Sequence, residues 1–118
     1  MATAVKRKLS GSTDGMGILV VQTSTQGDTI HTAIDGTTDG TYDEIWLYAS
    51  NNYTGDVLLT IEFGNTAPEN NIIITLPAKT GLTLVVAGLI LQNSAVISAF
   101  ASVASVITIT GEVNRITD

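Results

Sequence analysis

The chain has 118 residues, 44% of them hydrophobic and only 14% charged, against about 25% charged in an ordinary soluble domain. Eleven carboxylates against five Lys and Arg give a net charge of −6, and there is no cysteine. The length suits one domain with a sizeable core; the composition excludes disulfide staples and thiolate metal sites, and an acidic body argues against binding nucleic acid, which needs a Lys/Arg face for its phosphates.

Residues 1–15 read as an extended N-terminal arm and residues 16–118 as a single β-sandwich domain. Lys6, Arg7 and Lys8 supply three of the five basic residues, so the arm is basic and the body acidic. The start has no apolar stretch of the kind that follows the charges of a secretion signal. Three cations alone would hold nucleic acid only weakly and salt-sensitively, so the triplet is read as a docking element for an acidic neighbour. Residues 11–17 are glycine-rich but lack the lysine and spacing of a phosphate loop.

From Gly17 onward the chain alternates short β-prone runs with Gly, Asn, Asp, Ser and Thr turns. Strands are expected at residues 18–22, 29–34, 44–51, 56–63, 72–76, 82–86, 90–92, 96–101 and 106–113. Strands at roughly ten-residue spacing indicate an all-β, antiparallel sandwich of jelly-roll type. Residues 95–106 also admit a helix, with Ser98, Ser102 and Ser105 as a polar stripe. The β-branched Val96, Ile97, Val103 and Val106 favour a strand. The apolar stretch 82–91 is too short to span a bilayer, and no membrane association is expected.

Period-two alternation assigns faces. Val57, Leu59, Ile61 and Phe63 share one side, and Ile45, Leu47 and Ala49 oppose Trp46 and Tyr48. In the last strand Ile107, Ile109 and Val113 point inward. The remaining set, Trp46, Tyr48, Leu58, Ile73, Val85 and Ile97, is read as an outer face too apolar to leave in water. Runs such as Val57-Leu58-Leu59, Ile72-Ile73-Ile74 and Leu89-Ile90-Leu91 are apolar on both faces, which calls for a covering neighbour.

The candidate chemistry is sparse. His31 is the only histidine and sits at a polar position of an alternating strand, where it reads as half-exposed. Asp35, Asp39 and Asp43, with Glu44, form the densest carboxylate group, and oxygen ligands on such a loop could hold calcium. Their spacing does not match an EF-hand, and Asp-Gly pairs are ordinary turn formers. Trp46, Tyr48 and Tyr53 could stack a sugar, but aromatics on an apolar strand read first as packing or contact residues. No metal, cofactor or catalytic residue is assigned.

The stretch 27–116 resembles the small β-sandwich proteins of tailed-phage virions, above all capsid decoration (cement) proteins. The segments that carry it are Thr29-Ile30-His31-Thr32-Ala33, Asp43-Glu44-Ile45-Trp46-Leu47-Tyr48-Ala49, Leu59-Thr60-Ile61-Glu62-Phe63-Gly64 and Ile107-Thr108-Ile109-Thr110-Gly111-Glu112-Val113-Asn114-Arg115-Ile116. The resemblance implies a non-enzymatic protein on the capsid surface of a virion, bound to the major capsid protein, with a homo-oligomer, a trimer first, as its own assembly. The partner-binding residues expected are Lys6, Arg7, Lys8, Trp46, Tyr48 and Leu58. The alternatives are a carbohydrate- or receptor-binding adhesin module, or a neck or tail component.

Overall fold

Strict alternation over residues 42–51 sets the centre of the molecule. Asp43, Ile45, Leu47, Ala49 and Asn51 are buried, and the side chains between them are partly open. A computed structural model describes residues 2–118 and contains nine strands. They are β1 (Thr3–Lys8), β2 (Ile18–Val20), β3 (Asp28–Thr32), β4 (Tyr42–Asn51), β5 (Val57–Gly64), β6 (Asn71–Leu76), β7 (Thr83–Leu91), β8 (Val96–Ala101) and β9 (Ile107–Thr117). A single 3-10 turn at Pro68–Asn70 precedes β6.

The strands form two antiparallel sheets. Sheet A has the order β1-β9-β4-β7, with β2 lying against the other end of β9; sheet B has the order β3-β8-β5-β6. The pairs β2–β9, β3–β8, β4–β7 and β5–β6 are nested, as in one long hairpin bent at the β5–β6 connection and rolled up. That nesting is the jelly-roll topology. The core between the sheets is filled by Val20, Ile30, Ile45, Leu47, Leu59, Ile61, Ile97, Ile107, Ile109 and Val113, each inaccessible to solvent.

Expectations for residues 82–92, Val85 and Ile97 change. Residues 82–86 and 90–92 belong to one strand, β7, which carries two bulges: its register against β4 slips at Gly88 and again at Val85. Gly88 takes φ +75°, a conformation that glycine adopts without steric cost. Residues 96–101 are strand, and no helix runs through 95–106.

Ile97 is core, not outer face. It pairs with Phe63 on the inward side of β5, so Ile97, Ala99 and Ala101 all point inward. Val85, at a bulge, packs partly buried against the core.

The arm is extended, but it is laid down as β1 along β9, from Thr3 opposite Thr117 to Lys8 opposite Glu112. Leu9 then plugs the core. Residues 10–11 are strapped to β3 by Ser10 N–H to His31 Nδ1 (2.9 Å), Gly11 N–H to Ile30 O (2.9 Å) and Thr32 N–H to Ser10 Oγ (2.7 Å).

Candidate functional site

Where the arm, β3, β4 and β9 meet, the fold assembles a cluster of charged groups. His31 and Asp43 are 2% and 0% exposed, which corrects the half-exposed reading of His31. The reason is a bulge in β3 between Thr29 and His31. It lets Ile30 and His31, consecutive in sequence, both turn inward.

Asp43 Oδ2 lies 2.7 Å from His31 Nε2. Its carboxylate also takes a forked pair from Arg115, Nε to Oδ1 at 2.8 Å and Nη2 to Oδ2 at 3.0 Å, and the Ile34 N–H at 3.2 Å. Burial by itself would raise the Asp43 pKa; the hydrogen bonds from Arg115 and His31 outweigh it, and the carboxyl sits below its ordinary value. The same contact raises Arg115 above its ordinary value.

The proximity of Ser10, His31 and Asp43 invites comparison with a nucleophilic triad, and the atoms involved are the wrong ones. The Ser10 backbone N–H can only donate, so His31 Nδ1 is the acceptor and the ring proton sits on Nε2, directed at Asp43. Ser10 Oγ is engaged as acceptor of the Thr32 N–H. Both imidazole nitrogens are therefore occupied in tying the arm and β4 to β3.

Beside this cluster runs a groove of about 510 Å³ lined by Val5, Lys6, Arg7, Lys8, Ser10, His31 and Arg115. Its ledge is the inward side of β1, where Val5 pairs with Arg115 and Arg7 with Val113. Sheet B does not cover that side, and every residue of β1 is exposed.

The calcium reading separates on inspection. Asp43 is committed to Arg115 and His31, Asp35 accepts from Ser94 Oγ at 2.9 Å, and Asp39 is exposed. Among the described residues no three His, Cys, Asp or Glu side chains converge as a metal site.

Four of the six expected contact residues share one surface. Lys6, Lys8, Trp46 and Tyr48 lie on the outer face of sheet A, since Lys6 stands opposite Asn114, Lys8 opposite Glu112, and β9 carries both residues into line with Glu44 and Trp46. Lys6 bridges Glu112 at 2.9 Å, and that hydrogen bond raises its pKa. Glu44 accepts from Trp46 Nε1 (2.8 Å) and Asn114 Nδ2 (3.1 Å), and these bonds lower its pKa.

The other two lie elsewhere. Arg7 points to the groove side of β1. Leu58 is on the outer face of sheet B with Ile73, on the far side of the molecule. Of the three aromatics considered for sugar stacking, Trp46 and Tyr48 share the outer face of sheet A and Tyr53 lies in the loop after β4; none of them lines the basic groove.

Sequence reasoning missed two features. Arg115 is the lone cation of the last strand, and its partner is 72 residues away. Glu62 is buried on the outer side of sheet B, capped by Thr25 Oγ1, the Gly27 N–H (2.8 Å) and Ser98 Oγ (2.7 Å). Burial would raise the Glu62 pKa, and these three donors outweigh it and lower it. It anchors the loop between β2 and β3.

Exposed apolar side chains also gather at the β7 margin, where Leu82, Leu84, Leu89 and Ile90 are all about half exposed or more, Leu84 and Ile90 on the outer face and Leu89 on the side of Ile45. The near-continuous run 82–91 was its signal.

No family model matches the chain, and neither does any curated protein or solved structure.

Proposed function

We propose that this is a non-enzymatic structural protein of a virion that binds and reinforces the capsid shell. In this reading the major capsid protein is its partner and copies of the chain associate with one another, as a trimer first. The observation that carries the reading is the β7 margin. β7 ends sheet A, leaving one side of its backbone unpaired among the described residues, and it exposes Leu84, Leu89 and Ile90, with Leu82 just ahead of it. An outer strand this apolar is a template for another chain, and monomers rarely leave one in water.

Three further points support the reading. Only 14% of residues are charged, and none of them lies on β7 itself to guard its apolar margin. The jelly roll recurs in capsid and lectin domains. The one histidine is engaged in holding the arm, which suits a device built for contact more than for turnover. Each contact is small, but repetition over a closed lattice multiplies it.

Binding to a finished shell, and not to its free subunits, stabilises the shell by linkage. Particles with and without the protein, heated or osmotically shocked, test this. Depleted particles should rupture first. If they withstand both treatments and instead fail to attach to cells, the adhesin reading replaces this one.

A further inference from the structure

We infer that the basic groove beside β1 is a binding site for an acidic, extended segment of a different polypeptide, added as a strand to the outer side of β1. The fold concentrates charge here more than the sequence alone suggests. Lys6, Arg7, Lys8 and Arg115 all border the groove, Arg7 and Arg115 from its own side and Lys6 and Lys8 from the outer face of β1; they are four of the five Lys and Arg residues of a chain whose net charge is −6.

Part of that charge is already neutralised. Lys6 bridges Glu112, and Arg115 engages Asp43 through Nε and Nη2. What remains is specific. The Arg7 side chain has no hydrogen-bonding or ionic partner among the described residues. Arg115 keeps its Nη1 for an added group, and Lys8 Nζ holds only the Ser12 carbonyl, at 3.1 Å. The nearby acidic groups, Glu112 on the outer face and Asp43 beneath the groove, are both paired, so the surplus is cationic.

The geometry of β1 defines the ligand. In an antiparallel pair, half of a strand's backbone N–H and C=O groups point to its partner, and here the other half point away from β9. An extended peptide can hydrogen-bond to that row along six residues, about 20 Å. Lys6 and Lys8 project to the outer face and Arg7 to the groove side, so cations alternate along the strand. A strand beside them meets all three when its acidic residues are consecutive, one carboxylate to each face in turn.

This chain cannot supply such a segment. Its only adjacent carboxylates are Asp43 and Glu44, inside the central strand β4. A second copy is therefore not the occupant. The inference rests on the proposed function only in requiring a polypeptide partner, which on that reading presents an acidic strand to this groove.

The test uses the full chain and a labelled heptapeptide, Thr-Val-Glu-Asp-Glu-Val-Thr, read by fluorescence anisotropy. A peptide of the same composition with its acidic residues spaced apart serves as control, and inorganic polyphosphate as competitor. The consecutive peptide should bind more tightly than the spaced one, and binding should weaken as salt rises. R7Q should weaken it about fivefold, the effect of one exposed ion pair, while K79Q, outside the groove, should leave it unchanged. N-methylation of alternate peptide amides should abolish it if a strand is added.

Equal affinity for the two peptides, indifference to R7Q or to N-methylation, or displacement by polyphosphate at equal charge would each overturn the inference. Absence of any peptide binding would do so as well. None of these outcomes touches the particle-rupture comparison, so the groove and the reinforcing role fail separately.

Discussion

The two margins of sheet A solve the same problem with opposite chemistry. Each is a strand with one side unpaired among the described residues. β1 carries three consecutive cations and is locked from beneath by Arg115, Asp43 and His31. β7 carries leucines and isoleucine and is broken by two bulges. Charge on an outer strand discourages indiscriminate pairing while admitting a ligand of opposite sign; bulges distort the strand but leave its apolar side chains available. In the readings proposed above, the β1 margin selects its partner through electrostatics and the β7 margin adheres through burial; the two stand at opposite ends of one sheet.

The largest expected effect breaks the lock beneath β1. Arg115→Ala leaves Asp43 buried without its charge partner and should cost about 3–5 kcal/mol in urea unfolding. Asp43→Asn in that background should recover part of the loss, since the stranded charge is then gone. Two buried carboxylates, Asp43 and Glu62, predict an acid transition. Asp43 and Glu62 have folded pKa values below their ordinary ones. Their contribution is complete above the unfolded carboxylate values near about pH 4 and is lost as pH falls through the lower folded values. Thermal melts should therefore decline only below that point, and less steeply in Asp43→Asn.

Next, His31→Ala removes the acceptor of the Ser10 N–H and a donor to Asp43, and should cost about 1–3 kcal/mol. Hydrogen exchange should speed up in residues 3–12 more than in β7. That contrast would show that the histidine serves the β1 margin in particular.

At the opposite margin, Gly88→Ala places a Cβ 3.1 Å from Trp46 Cζ2 at a positive φ. About 1–2 kcal/mol should be lost, measured by chemical denaturation. The smallest effect on the fold, and the largest on assembly, belongs to Leu84→Asp with Ile90→Asp. Both side chains are exposed, so stability should change by no more than about 0.5 kcal/mol each. Light scattering should nevertheless show self-association lost. A wild-type chain that scatters as a 12.3 kDa monomer at micromolar concentration would remove the adhesive half of the comparison.

The sequence by itself determined the β-sandwich class, eight of the nine strands in outline, and the inward faces of β4, β5 and β9. Those follow from local rules: alternation marks which side of a strand is apolar, and Gly, Asn and Asp mark where it turns. It also marked β7 as too apolar for a strand in water. What only the tertiary structure decided depends on partners distant in the chain. β1 was invisible because Thr3–Lys8 has no apolar alternation, and it is a strand only because β9 extends far enough to pair with it. Ile97 could be placed only by its register with Phe63, since a single step in register moves every side chain of a strand to the other face. His31 looked half-exposed until a bulge turned it inward. Arg115 acquired its role from Asp43, 72 residues earlier, because rolling the long hairpin brings β4 and β9 side by side. Alternation along a strand says which residues share a side; only pairing between strands says what that side faces.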